Sequence, residues 1–248
     1  MCDSCGCGTP RAKGAEVGTA GKTVRVHESP MAANDRIAAH VRRHLDAHQV
    51  LAVNIMSSPG AGKTSLLEAT IAAMPPGVRI AVIEGDLETE NDADRIRRHG
   101  VKAVQITTGV ACHLDAAMVH DALDELPHDE IDILFIENVG NLVCPADFDI
   151  GQHLDVVLLS VTEGDDKPDK YPVMFRNADL VLIAKTDLLP FIEEFDVPRA
   201  RRSIGRVRGS GPIMEVSAKK RQGLEAWTDW LVANLAARRG AATAAVDA

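Results

Sequence analysis

Aromatic side chains are scarce in this sequence. Phe, Trp and Tyr make up 3% of 248 residues, and there is a single tyrosine. A buried core must therefore be built mainly from Val, Ile, Leu and Ala. A basic stretch is also missing, and the formal net charge is −9. That balance argues against nucleic acid or an anionic membrane as the main partner. There is no run of 18 apolar residues, so no membrane-spanning helix is expected. The first residues are rich in Cys and Gly and lack the apolar stretch of a secretion signal, so a cytoplasmic location is expected. Cysteines number only five. The count is odd and the closest pairs stand too near each other to staple a domain, so reduced, metal-binding thiols are the better reading.

What is present is ordinary for a globular chain: 46% hydrophobic and 25% charged residues, long enough for one α/β domain without staples. Residues 1–30 carry Gly, Ala, Thr and Lys without apolar period and read as a metal-binding end on a flexible linker. Residues 31–240 read as the folded domain and 241–248 as a frayed tail. Asn34 or Asp35 is expected to cap a helix running to about His48. Apolar runs then follow at Leu51–Met56, Arg79–Ile83, Val101–Ile106, Ile131–Ile136, Val156–Val161, Leu180–Ala184 and Ile213–Val216. Helical patterns at 63–74, 92–99, 113–125, 169–177, 196–207 and 222–237 separate most of them. Continuous apolar strands alternating with helices predict an α/β fold, a mostly parallel sheet covered on both faces.

The first of these strands runs into Ser57-Ser58-Pro59-Gly60-Ala61-Gly62-Lys63-Thr64-Ser65 and then a helix. Glycines let backbone N–H groups turn inward around phosphate oxygens at the positive end of that helix. In this phosphate loop Lys63 neutralises the β/γ-phosphates and Thr64 offers its hydroxyl to Mg²⁺. The usual pattern opens with Gly where Ser57 stands. After a later strand comes Ala184-Lys185-Thr186-Asp187. The Asp187 carboxylate can accept from N1–H and the 2-amino group of guanine, a donor pair adenine lacks. The Lys185 stem can lie over the base, and Ser217-Ala218-Lys219 can bring a backbone N–H to guanine O6. Asn is usual at the Ala184 position, so one side-chain contact is missing.

Glu84-Gly85-Asp86 and Glu137-Asn138-Val139-Gly140 both fall at the carboxyl ends of strands, the rim where ligands collect in such sheets. Asp86 or Glu137 can hold Mg²⁺ through water or position an attacking water, and Gly140 can give its N–H to a γ-phosphate. No water-orienting Gln stands out, so slow turnover is expected.

Cys2, Cys5 and Cys7, with the amine of the chain end, form one candidate soft-metal site. A planar N/S set suits Ni²⁺ and a tetrahedral one Zn²⁺, and ligand type alone leaves both open. His40, His44 and His48 recur every four residues on the first helix and share one face, where i, i+4 pairs can chelate a metal as an auxiliary nickel site; no carboxylate completes that face, although Asp46 and His27 could approach it. Lys167 and Lys170 lie in a loop that could reach a second copy's nucleotide.

Taken together, Cys2-x-x-Cys5-Gly-Cys7, the phosphate loop, Glu-Gly-Asp, Ala-Cys112-His113-Leu-Asp, Glu-Asn-Val-Gly, Leu-Val-Cys144-Pro and Lys-Thr-Asp resemble the hydrogenase nickel-incorporation GTPases, the HypB family, from residue 2 to about 235. The resemblance implies a phosphate-loop G domain of the SIMIBI type that binds GTP or GDP with Mg²⁺ and dimerises with GTP. It also implies delivery of nickel to the large subunit of a [NiFe] hydrogenase, together with the nickel-binding accessory protein HypA. Cys112, His113 and Cys144 then form a second Ni²⁺ or Zn²⁺ site, provided that the third and fourth apolar strands are neighbours. A urease or cobalt insertion GTPase, and a nickel storage or sensing protein with a structural nucleotide site, are the rival readings.

Overall fold

The computed structural model of the chain describes residues 16–19, 22–25, 29–86, 91–109 and 111–246. The expected thiol site at Cys2, Cys5 and Cys7 lies outside the described residues, as does His27. Nine strands and eight helices follow one another among the described residues: β1 (Glu16–Thr19), β2 (Lys22–Arg25), α1 (Pro30–Ala47), β3 (Leu51–Ser57), α2 (Lys63–Ala73), β4 (Ile80–Asp86), α3 (Asn91–Arg97), β5 (Lys102–Thr107), α4 (Ala116–Leu123), β6 (Ile133–Glu137), β7 (Leu154–Ser160), α5 (Lys167–Lys170), α6 (Pro172–Arg176), β8 (Leu180–Ala184), α7 (Val197–Arg208), β9 (Ile213–Val216) and α8 (Leu224–Val246). Among these, no helix is long and apolar enough to cross a membrane.

Seven strands form one sheet in the order β5-β4-β6-β3-β7-β8-β9, with every pairing parallel. Strand β3 is buried at all seven positions. Its odd residues, Leu51, Val53 and Ile55, pack with Leu66, Leu67, Ile96, Trp227 and Leu231 of α2, α3 and α8. Its even face meets two clusters. One holds Val41 and Leu45 of α1 with Val119 and Leu123 of α4; the other holds Met174, Phe175 and Ile204 of α6 and α7. Period-two alternation thus sends each side of a wholly buried strand to a different helical layer. Each buried Leu or Ile contributes about 1.5–3 kcal/mol. Between the two even-face clusters lies Asn54, fully buried, whose amide donates to Asp155 Oδ1 at 2.9 Å and whose Oδ1 accepts from Asn138 Nδ2 at 3.2 Å.

Three expectations are corrected here. Residues 16–25, read as flexible linker, contain the antiparallel pair β1–β2, with Val17 opposite Val24 and Glu16 opposite Arg25. Only Ala20 and Gly21 separate the two strands, and two residues ending in Gly are a hairpin signal. Helix α1 starts at Pro30 with Ser29 as its cap, the Ser29 hydroxyl accepting from Ala32 N at 3.1 Å. Ser-Pro satisfies an end donor and pre-sets φ, so it wins over Asn34 or Asp35. Helix α8 runs through residues 241–246, read as a frayed tail, because Ala is the strongest helix former.

Gly151 shows how tightly α1 is seated. Its φ is +88°, and a Cβ there would stand 2.4 Å from Val41 Cγ1 and 2.9 Å from the Ala38 carbonyl oxygen. Gly151→Ala is expected to destabilise the protein by about 2–4 kcal/mol, combining left-handed strain with overpacking. A denaturation midpoint lowered at unchanged slope would show it; an unchanged midpoint would refute it.

Candidate functional site: a phosphate loop beside a thiol–imidazole cluster

The site begins where β3 ends. Ser57 is the strand's last, fully buried residue, and positive φ in the loop is confined to Gly60 (+71°) and Gly62 (+102°). Glycine is therefore not required where Ser57 stands. Its hydroxyl donates to the Ser58 carbonyl at 2.7 Å and accepts from Lys63 Nζ at 3.4 Å, so it steadies the lysine. Gly62 caps α2, and Lys63 and Thr64 open that helix, both buried. Ser58 Oγ donates to Glu163 Oε2 at 2.7 Å, and Ser65 Oγ accepts from Arg95 Nη2 at 3.2 Å.

A cavity of about 450 Å³ opens over this loop, lined among others by Gly60, Lys63, Thr64, Asp86, Glu137 and Gly140. Lys63 Nζ lies 3.9 Å from Glu137 Oε1, which accepts from Thr64 Oγ1 at 3.0 Å. Glu84 stands beside Glu137 at the matching level of β4. Burial, then the Glu137 charge, drives the Glu84 carboxyl far above its ordinary range. Glu137 is also raised by burial, opposed chiefly by Lys63. Two carboxylates so close and so dry share a proton. Glu84 Oε1 and Glu137 Oε2 are buried without a hydrogen-bond partner. Orphan carboxylate oxygens beside a threonine hydroxyl fit a hard cation such as Mg²⁺.

Gly140 presses on the phosphate loop, since a Cβ there would stand 2.8 Å from Pro59 Cα. At the cavity's other side Lys185, with φ +60°, donates from Nζ to the Gly60 carbonyl at 2.6 Å. Asp187 Oδ1 accepts from Ser217 Oγ at 2.6 Å, and the Ala218 carbonyl accepts from Arg221 N. The phosphate loop and the Lys185, Asp187 and Ser217 side chains thus gather on one rim. Lys167 Nζ lies 5.3 Å from the Tyr171 ring centroid and Lys170 Nζ 2.6 Å from Asp166 Oδ2, so both cations have local contacts.

Cys112, His113 and Cys144 converge on the same rim, with one ligand atom from each lying within 4.8 Å of the others. The sulfurs are 2.6 Å apart and Cys112 Sγ is 3.7 Å from His113 Nδ1. Donors around a tetrahedral first-row ion stand about 3.3–3.8 Å apart, so the Cys112–His113 separation already fits, and the two sulfurs would move apart by about 1 Å to share an ion. The His113 ring stacks on Phe148 at 3.9 Å, and Asn141 Nδ2 lies 3.5 Å from Cys144 Sγ. The Cys112 hydrogen bond, then burial, pushes the Cys144 thiol up.

The route by which these residues meet differs from the expected one. The strands that precede them, β5 and β6, are not neighbours; β4 lies between. The Cys112–Asp115 loop crosses over the end of β4, where Leu114 covers Gly85 so closely that a Cβ would meet its side chain at 2.9 Å. Asn138 fixes the crossing, its Oδ1 accepting from Leu114 N at 3.1 Å and from Val139 N at 3.0 Å. Asn34 holds the next turn, accepting from Ala116 N and donating to the Asp149 carbonyl. The sequence reading missed Glu84, Asn138 and Asn34 as site-building residues. For Glu84 and Asn138 the available signal was an ionisable or amide side chain at the end of an apolar strand.

A parallel sheet with a phosphate loop at the end of its central strand defines a P-loop nucleotide-binding protein. The nucleotide-binding domain of the CobW/HypB/UreG family matches residues 51–215. The hydrogenase maturation factor HypB of Azotobacter vinelandii is 50% identical over 210 residues, covering 85% of this chain and 69% of its own. The crystal structure of HypB from Helicobacter pylori in complex with nickel superposes with a TM-score of 0.78 at 42% identity, covering 82% of this chain and 94% of that one. HypB from Archaeoglobus fulgidus gives a TM-score of 0.77 at 42% identity, covering 82% and 99%. The chain belongs to the HypB family of hydrogenase maturation factors.

Proposed function

We propose that this protein is a GTP-hydrolysing nickel carrier that helps load nickel into the large subunit of [NiFe] hydrogenase. Nickel is its cargo, held at Cys112, His113 and Cys144 and at the chain-end thiols Cys2, Cys5 and Cys7, with Zn²⁺ as the competing ion. One observation carries the reading: Asn138, one residue beyond Glu137, bonds the loop that bears Cys112 and His113. A change at the γ-phosphate side, through Gly140 and Glu137, therefore has a short mechanical path to the thiols.

In this reading the backbone of Gly60–Thr64 and Lys63 hold the phosphates, and the Gly140 N–H meets the γ-phosphate. Mg²⁺, when bound, would neutralise phosphate charge; Thr64 and Asp86, with the orphan oxygens of Glu84 and Glu137, would hold it. Asp86 or Glu137 orients the attacking water, and with no Gln among the lining residues intrinsic turnover is slow. A GTP-dependent homodimer, HypA and the hydrogenase large subunit are the partners. The relatives' names and the nickel complex of the H. pylori protein support this assignment.

The test is nickel affinity of the full chain with GDP and with a non-hydrolysable GTP analogue. The carrier reading expects a clear difference; equal affinities would count against it. Absence of GTP turnover together with no nucleotide-dependent dimer would favour storage. For the base, Asp187→Asn is expected to weaken GTP roughly 10–100-fold by removing a charged acceptor, while xanthosine triphosphate gains because the new amide donates to its 2-oxygen. Unchanged preference for GTP over the xanthosine nucleotide would remove Asp187 from base reading.

A further inference from the structure

The histidine row on α1 does not stand alone. His40 faces His120 of α4, with ring centroids 5.5 Å apart. His44 and His48 meet His128 of the 3-10 turn His128–Glu130, and the three centroid separations are 4.7 Å (His44–His48), 4.5 Å (His44–His128) and 5.4 Å (His48–His128). We propose that His44, His48 and His128 form a further binding site for a divalent transition-metal ion, away from the nucleotide.

The spacing is what a shared ion requires. An ion about 2.0–2.1 Å from each ring nitrogen lies about 3.2 Å from each ring centre, so rings at roughly 90–110° around it have centres about 4.5–5.2 Å apart. The rings here lie tilted or edge-on to one another. Bringing one nitrogen of each ring to a common point would take rotation of the His44 and His128 rings about their Cβ–Cγ bonds, with His48 held by Asp129.

The surroundings also fit. His44 Nε2 is buried and has no hydrogen-bond partner, a cost that a ligated ion removes. His48 Nδ1 lies 2.9 Å from Asp129 Oδ1, which fixes the tautomer that leaves Nε2 free to ligate. Imidazole donors favour Zn²⁺, Ni²⁺ and Cu²⁺ over Mg²⁺ or Ca²⁺. Asp46, expected to approach this row, instead faces His153 and Arg238.

The site lies at the opposite end of the strands from the phosphate loop. His48 ends α1 just before β3 begins, and β3 spans seven residues up to and including Ser57, roughly 20 Å of extended chain. An ion here would tie α1 to the turn before β6, independently of Cys112 and of nucleotide.

The decisive experiment uses the full chain with all five cysteines replaced by alanine, without nucleotide, so that it does not depend on the carrier reading. Zn²⁺ is titrated while the histidine ring resonances are followed by NMR. The expected result is saturation at one equivalent, with His44, His48 and His128 shifting together, and at least tenfold weaker binding in His48→Gln, whose half-exposed ring leaves the fold intact. Three rings unmoved at one equivalent would overturn the proposal, as would shifts confined to His40 and His120 or binding unchanged in His48→Gln.

Discussion

Lys63→Ala is expected to lower GTP turnover at least about a thousandfold, the scale on which a cation at the transferred phosphoryl group acts. The reason lies in the surroundings of that amine. Lys63 is 8% exposed, its Nζ is 3.4 Å from Ser57 Oγ and 3.9 Å from Glu137 Oε1, and it opens α2 under the cavity. Among the described residues lining the cavity the other two cations are held elsewhere: Lys185 by the Gly60 carbonyl, and Arg95 by Glu68, Asp92 and Ser65. Removing the amine leaves Glu137 and Glu84 without the one cation that opposes their burial. The pair then keeps its proton more firmly, which disfavours a bound cation, and the γ-phosphate loses the counter-charge of the amine itself. Lys63→Met keeps the stem in place and separates packing from charge. Single-turnover hydrolysis and binding of a fluorescent GTP analogue measure the two effects. Turnover within tenfold of the parent in both variants would exclude Lys63 from the chemistry.

The fold was legible because its signals are local and redundant. Seven apolar runs, each separated from the next by a turn or a helical pattern, leave a parallel sheet as the economical solution, and Leu180–Ala184 and Ile213–Val216 fall where their sequences end. The phosphate loop was legible because Gly60 and Gly62 are needed for positive φ, while Ser57, in extended backbone, is not. What local sequence does not carry is strand order. Placing β4 between β5 and β6 depends on which hydrophobic faces match across the whole sheet. The contact between Leu114 and Gly85, which lets the Cys112 loop cross β4, follows from that order alone. The Glu84–Glu137 pair was hidden for the same reason: fifty-odd residues separate the two in sequence, and only the pairing of β4 with β6 sets them side by side. The histidines behave likewise. Spacing puts His40, His44 and His48 on one face, but His120 and His128 join them only when α4 and the turn before β6 dock. Residues 16–25 were misread for a different reason, since four-residue strands carry too little period to stand out from a Gly-rich linker.

The second large effect is expected at the thiols. Changing Cys112 and Cys144 together to Ser should lower nickel stoichiometry of the full chain by one and weaken the remaining affinity of this rim about a thousandfold or more, because a neutral hydroxyl replaces a thiolate twice. Stoichiometry is the necessary readout, since Cys2, Cys5 and Cys7 still bind in this variant. The pH dependence distinguishes ligation from mere proximity. A thiol ligates only after giving up its proton, and the Cys144 thiol is pushed up by its neighbour Cys112, so the ion must displace that proton. Apparent affinity should then climb about tenfold per displaced proton for each pH unit below the thiol values. In a background where Cys2, Cys5 and Cys7 are alanine, the slope of log affinity against pH should therefore approach two. Cys144→Ser alone should bring it to one, and also release Cys112 from the hydrogen bond they share at 2.6 Å. His113→Ala should weaken binding while leaving the slope near two, because a neutral imidazole surrenders no proton. A slope that is the same in Cys144→Ser as in its parent would mean that Cys144 is not a ligand, however close it lies to the other two.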